Sequence, residues 1–230
     1  MDKELEKLNA AKACIELIED GMLIGIGSGS TVAKFIKLLG EKIKKEGINV
    51  LTIPTSYQVR QLLVSEKIPI TSLEEHPEPD IAIDGADEVD NNLNLIKGGG
   101  AALTQEKIVD SSSKRLIIIV DSGKLVDYLG QKFKLPIEII PMSFPLVKTK
   151  LKAYASEVSL RMAEKKLGPV ITDNGNFILD IKIPDLHKKD LKLLEMELNS
   201  IPGVIENGLF IDMTEKVYVG YSDHTKILQK

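Results

Sequence analysis

Apolar side chains recur along residues 3–19 at Leu5, Leu8, Ala11, Ile15 and Ile18, the spacing of one helix face. Gly21 closes that helix, and residues 22–26 read as a short buried strand. A second helix follows Gly27-Ser28-Gly29-Ser30-Thr31, with Val32, Phe35, Ile36 and Leu39 turned inward. The pattern then alternates: strand at 49–53, helix at 56–67, strand at 80–83, helix at 101–112, and a strand at 115–120 that is apolar throughout after Arg115. Strands alternating with helices predict an α/β fold, an open and mostly parallel sheet with helices on both faces, Rossmann-like in kind.

Near Gly130 the rhythm changes. Residues 135–140 form a strand bracketed by Pro136 and Pro141. Residues 146–166 carry Val147, Leu151, Tyr154, Val158 and Met162 at helical spacing, stopped by Gly168-Pro169. Residues 170–183 read as a hairpin turning at Asn174-Gly175, 190–198 as a helix, and 204 onward as an extended piece. The order βαββαβ is that of a ferredoxin-like α+β module. The tail, at 209–211 and 217–219, is expected to rejoin the first sheet. The domain expectation is therefore residues 1–130 plus 204–230 as an α/β catalytic domain, and 131–203 as a smaller ferredoxin-like domain serving oligomerisation.

Composition narrows the function classes. The chain has 230 residues, 28% of them charged, and a net charge of −4 with both signs interspersed. No basic stripe invites nucleic acid. The charged start (Met1-Asp2-Lys3-Glu4) is unlike a signal peptide, and the longest apolar run is too short to span a bilayer. A cytoplasmic protein without a membrane or nucleic-acid partner is expected. The single cysteine, Cys14, rules out an internal disulfide, and His76, His187 and His224 are too scattered for a metal site or a Ser-His-Asp triad.

Four segments carry residues suited to chemistry. The first, Gly25-Ile26-Gly27-Ser28-Gly29-Ser30-Thr31, joins a strand to a helix, where exposed backbone N–H groups and the helix N-terminus favour an anion. Ser30 stands where a dinucleotide fingerprint needs its third glycine, and no Gly-Lys-Ser/Thr follows, so the loop is an anion cradle without a nucleotide signature. The second, Asp84-Gly85-Ala86-Asp87-Glu88-Val89-Asp90, follows a buried strand, and ligands of open α/β sheets bind at the carboxyl ends of strands. Asp84 and Asp87, nearest the strand end, are the functional pair expected there; Glu88 and Asp90 are expected to face solvent. The third is Lys97-Gly98-Gly99-Gly100, whose glycines let backbone N–H groups approach a ligand beside a cation, with Glu106 one and a half helical turns further on. The fourth, Asp121-Ser122-Gly123-Lys124, places a lysine suited to phosphate at another strand end. Taken singly, each segment also has a plain structural reading: a strand-to-helix turn, a solvated acidic turn, an ordinary surface glutamate, a solvated lysine.

Taken together, and with Pro54-Thr55-Ser56, Ala101-Ala102, Glu106-Lys107, Ile201-Pro202-Gly203-Val204 and Asn207-Gly208, these motifs in this order closely resemble the ribose-5-phosphate isomerase A family over nearly the whole chain. Ser28 stands where many relatives carry threonine; the hydroxyl is kept. The resemblance implies interconversion of ribose 5-phosphate and ribulose 5-phosphate in the pentose phosphate route, with no cofactor and no required metal, by a homodimer or homotetramer acting on a small sugar phosphate. It implies substrate contacts at Ser28, Gly29, Ser30, Thr31, Asp84, Gly85, Ala86, Asp87, Lys97, Gly98, Gly99, Gly100 and Lys124, with Glu106 as the proton-transferring base. In the mechanism so implied, Lys97 and the glycine N–H groups stabilise the oxyanion, Asp84 and Asp87 handle hydroxyl protons and ring opening, and Lys124, Lys7 and the 28–31 hydroxyls anchor phosphate. Related folds serve glucosamine-6-phosphate deaminases, CoA transferases and the sugar-phosphate sensor domains of transcriptional regulators. A sensor would carry a helix-turn-helix, for which the chain leaves no room before its first helix.

Overall fold

The Asp2 side chain caps the first helix, accepting from the Glu4 and Leu5 N–H groups at 3.1 and 3.3 Å. Ser56 and Asp190 cap later helices in the same way, through Val59 N and Leu193 N at 3.2 and 3.0 Å. The computed structural model describes residues 2–229. In chain order the elements are α1 (Lys3–Ile15), β1 (Leu23–Ile26), α2 (Ser30–Glu46), β2 (Leu51–Pro54), α3 (Tyr57–Ser65), β3 (Ile81–Asp84), β4 (Glu88–Val89), β5 (Leu95–Ile96), α4 (Leu103–Ser112), β6 (Leu116–Asp121), β7 (Leu135–Ile139), α5 (Phe144–Leu151), β8 (Glu157–Leu160), β9 (Phe177–Lys182), α6 (Leu191–Asn199), β10 (Val204–Asn207), β11 (Leu209–Phe210), β12 (Lys216–Gly220) and β13 (Thr225–Gln229).

The chain folds into two units. The first comprises Met1–Ala86, Gln105–Lys124 and Asp212–Lys230; the second, Asp87–Thr104 and Leu125–Ile211. Segments 87–104, 125–130 and 204–211, which the sequence pattern grouped with the α/β part, thus lie in the second unit. Backbone pairing is the reason: β4, β5 and β11 form a small sheet of their own, and β10 joins β7.

The first unit is built on a six-stranded sheet in the order β13-β12-β6-β3-β1-β2. All neighbours are parallel except β12 and β13, an antiparallel hairpin at one edge. Ile24, Ile26, Ile81, Ile83, Ile117 and Ile119 pack against Ala10, Ala11 and Cys14 of α1 and Phe35, Ile36 and Leu39 of α2. These strands read as unbroken apolar runs because helices cover the sheet. From β1 the chain passes to β2 on one side and then to β3 on the other. The carboxyl ends of β1 and β3 therefore form a switch point, where such sheets open a crevice.

The second unit contains a four-stranded antiparallel sheet in the order β10-β7-β9-β8. Numbered within the module this is 4-1-3-2, the ferredoxin-like order. The helix expected over 146–166 is α5 alone, ending at Leu151. Residues 157–160 form β8 instead, because Val158 and Leu160 alternate with Glu157 and Ser159 at period two, and that pattern overrides the helical one. The Asn174-Gly175 turn exists, with Gly175 N donating to Thr172 O at 2.9 Å, but it lies within the long β8–β9 connection rather than at a two-residue hairpin. Leu209–Phe210, expected in the first sheet, pairs with β5.

Candidate active site

Asp84 ends β3 at the switch point. Its Oδ1 accepts from the Ser28 N–H at 3.2 Å and the Gly85 N–H at 2.6 Å, so the ends of β1 and β3 are tied through one carboxylate. The side chain is 0% exposed. Gly27 is what admits it: a Cβ there would lie 1.9 Å from Asp84 Cγ. Ser28 Oγ in turn lies 3.1 Å from Thr55 Oγ1 and donates to Ser56 Oγ at 3.0 Å, joining the end of β2 to the same network. Ser30 and Thr31 begin the seventeen-residue α2, whose N-terminus carries partial positive charge.

The other first-unit residues singled out by sequence are Glu106, Lys124 and Lys7. Glu106 lies in the first turn of α4 and is 4% exposed, which removes the ordinary surface-residue reading. Lys124 closes a short 3-10 turn (Ser122–Lys124) after β6. That turn is held by Glu6 of α1, a buried carboxylate accepting from Ser122 N at 3.1 Å and Ser122 Oγ at 2.8 Å. Lys7, also on α1, pairs with Glu4 at 2.9 Å; Lys34 and Lys7 together hold the Glu4 carboxyl down at about 2.

In the second unit Asp87, Lys97 and the three glycines form a connected group. Asp87 N donates to Ile96 O at 2.8 Å, and Asp87 Oδ2 accepts from Gly99 N at 2.7 Å. A Cβ on Gly99 would fall 2.6 Å from Asp87 Oδ1. Lys97 is 2% exposed, its N–H bonded to Gly208 O at 3.0 Å and its Nζ 5.4 Å from the Phe210 ring centroid, a cation–π contact. Gly98 turns the chain at φ +105°, while Gly99 and Gly100 are exposed. So the cation and the glycine amides are neighbours, but one of those amides is already committed to Asp87.

Glu88 and Asp90 do not face solvent as expected. Glu88 is 0% exposed and its carboxylate accepts from Gly130 N, Lys132 N and Phe133 N, the last at 2.7 Å. Asp90 is buried and accepts from Asn92 N and Asn94 N at 2.8 and 2.9 Å. Both organise the fold, since the surrounding backbone N–H groups satisfy their buried oxygens. The three histidines are exposed.

Sequence reasoning passed over several polar residues. Glu138, 0% exposed on β7, accepts from Thr104 Oγ1 at 2.6 Å, Thr172 Oγ1 at 2.8 Å, Asn174 Nδ2 at 3.0 Å and Asn176 Nδ2 at 2.9 Å. Arg161 reaches the carbonyls of Gly98 and Gly99. Glu138 offered a signal, a charge inside the otherwise apolar 135–139 strand; Arg161, placed in an expected helix, offered none. Among the described residues no group of three His, Cys, Asp or Glu side chains is arranged to hold a metal ion, and no helix is long and apolar enough to cross a membrane.

Comparison with known proteins adds what geometry alone does not. A family model described as ribose 5-phosphate isomerase A (phosphoriboisomerase A) matches residues 51–224. The chain belongs to that family. The ribose-5-phosphate isomerase A of Pyrococcus horikoshii is 51% identical over 229 residues, 99% of each chain, and that of Pyrococcus abyssi 50% identical over the same coverage. Among solved structures, ribose 5-phosphate isomerase A from Methanocaldococcus jannaschii superposes with a TM-score of 0.94 at 45% identity, covering all of both chains. A D-ribose-5-phosphate isomerase in complex with phospho-erythronic acid gives 0.97 at 51% identity, again over both full chains.

Proposed function

We propose that this chain interconverts D-ribose 5-phosphate and D-ribulose 5-phosphate through an enediolate, with Glu106 as the base, as one step of the non-oxidative pentose phosphate route. The supporting observation is the full-length similarity to an isomerase solved with phospho-erythronic acid. The carboxylate of that acid sets two oxygens and a negative charge on one planar carbon at the end of a phosphorylated chain. An enediolate presents nearly the same charge and shape, and a site complementary to the transition state accepts such a mimic.

The C2 proton of the open-chain sugar is barely acidic until the carbonyl oxygen takes up charge. Catalysis therefore needs a base over carbon and a preorganised positive pocket at oxygen. Glu106 takes the C2 proton and returns it to C1. Lys97 and the glycine amides receive the oxyanion, and Asp84 and Asp87 exchange hydroxyl protons and assist ring opening. Lys124, Lys7 and the hydroxyls of Ser28, Ser30 and Thr31 hold the phosphate, whose binding energy is remote from the reacting carbons and serves orientation.

The test is direct: purified protein, exhaustively chelated, is given ribose 5-phosphate and ketose formation is followed. Ribulose 5-phosphate should accumulate to equilibrium. Activity lost on chelation and restored by a divalent ion contradicts the metal-independent reading, and ammonia release from an amino sugar phosphate without pentose turnover favours the deaminase alternative.

A further inference from the structure

Arg161 follows β8, and its guanidinium is shared out edge by edge. Nε donates to Asp180 Oδ2 at 2.8 Å and Nη2 to Asp180 Oδ1, a bidentate pair with a carboxylate of β9. Nη1 reaches the other way, to Gly98 O at 2.7 Å and Gly99 O at 3.1 Å. The side chains of Arg161 and Asp180 are 15% and 19% exposed, so water screens this arrangement little. Backbone bonds fix the residue as well: Arg161 N donates to Ile178 O and Val170 N to Arg161 O, both at 2.9 Å.

In a trans peptide the C=O and the N–H that follows it point to opposite sides. Two consecutive carbonyls held by Arg161 therefore turn two consecutive N–H groups, those of Gly99 and Gly100, away from it. The first is seen doing so, donating to Asp87 Oδ2 at 2.7 Å. The second belongs to an exposed glycine, and nothing among the described residues lies within 4 Å of where its Cβ would be. A cation on the carbonyl side also polarises each peptide and strengthens its N–H as a donor. Resting on the isomerase reading above, we infer that Arg161, locked by Asp180, is a positioning residue for the reaction: it orients the Gly98–Gly100 peptides so that the Gly99 N–H fixes the Asp87 carboxylate and the Gly100 N–H meets the sugar oxyanion.

Lysine does not replace this arrangement, because one ammonium lacks the fork that serves Asp180 on one edge and two carbonyls on another. Arg161→Ala and Arg161→Lys are compared with the wild type in ribose 5-phosphate isomerisation, alongside spectra of protein labelled with 15N-glycine. Arg161→Ala should lower kcat by about 10–100-fold, a loss of the kind that follows a misaimed oxyanion donor, with KM changed by no more than about threefold. Low guanidinium concentrations should restore part of that kcat in Arg161→Ala and none in Glu106→Gln, and Arg161→Lys should recover little. The amide signals of Gly99 and Gly100 should move in Arg161→Ala while that of Gly47, which closes α2, stays. If Arg161→Ala does not fold, Asp180→Asn, which frees the lock while keeping side-chain shape, should show the same kcat-selective loss at smaller size. A folded Arg161→Ala with wild-type kcat, unmoved Gly99 and Gly100 signals, or a loss confined to KM overturns the role of Arg161. A wild-type chain that does not isomerise ribose 5-phosphate, with its glycine signals still dependent on Arg161, overturns the parent reading instead.

Discussion

Asp84 and Glu106 are carboxylates removed from water, and a small detail of its surroundings admits Asp84. That detail is Gly27, since any Cβ there would collide with the carboxylate at 1.9 Å. Gly27→Ala should displace Asp84, abolish most turnover and destabilise the fold by roughly 1–3 kcal/mol, as overpacking does. Gly100→Ala meets no atom within 4 Å and should leave stability within about 0.5 kcal/mol of wild type, as is usual where nothing is touched. Thermal melts of the two variants check the contrast. Glu106→Gln should keep folding and substrate binding while lowering kcat by roughly 10²–10⁴, the usual contribution of a positioned proton-transfer group. Steady-state kinetics on a variant with an unchanged melt would show it. Near-normal turnover would remove Glu106 from the base's role.

At the scale of elements, the second unit depends on a buried carboxylate in mid-strand. Glu138 gathers Thr104, Thr172, Asn174 and Asn176, and so moors the 172–176 turn and the start of α4 to β7. Glu138→Ala leaves four donors without their acceptor in a buried place. It should cost roughly 2–4 kcal/mol in urea unfolding, with early proteolysis near Asn174. The same region shows where sequence legibility stops. The β1–α2 and β3 segments were readable because continuous apolar runs end at glycines, Gly27 and Gly85, that mark where each strand stops. Residues 146–166 were not, because Val147, Leu151, Tyr154, Val158 and Met162 satisfy a helical period as far as Leu151 and Val158 and Leu160 satisfy a strand period beyond it. Pairing with β9 decides between the two, and pairing is non-local. Likewise Glu88 and Asp90 look solvated in sequence; their backbone donors at 130–133 and 92–94 become visible only once the loops are folded. The glycine loops and the lysine beside them were legible as candidates for ligand contact because such a run has little other use. Arg161 was not, because its partners lie some sixty residues back in the chain.

For the whole molecule, each unit has its own apolar core, and charge sets how the fold responds to acid. The Arg115 guanidinium holds the Glu215 carboxyl below its ordinary value of 4.5, and the Leu23 N–H, followed by Lys114, holds Asp80 below 3.8. A carboxyl depressed in the folded state contributes stability that is fully present above its ordinary value and is lost as pH falls through the lowered one. Stability should therefore decline below about pH 4.5. Glu215→Gln should flatten that decline while lowering the neutral plateau by no more than about 1 kcal/mol, since the pair is more than a third exposed. Urea melts across the acid range measure both.

The central claim is that one carboxylate carries a proton between two carbons of a phosphopentose while an amide-and-lysine pocket holds the charge. Equilibration of ribose 5-phosphate with the protein in deuterated water tests it most directly. Because the proton held by Glu106 exchanges with solvent over repeated turnovers, the account predicts deuterium at C1 of the ketose, on one face only, with labelling in Glu106→Gln slowed by roughly the same 10²–10⁴ as turnover. Ketose formed by Glu106→Gln at the wild-type rate, with or without deuterium at C1, would contradict that account.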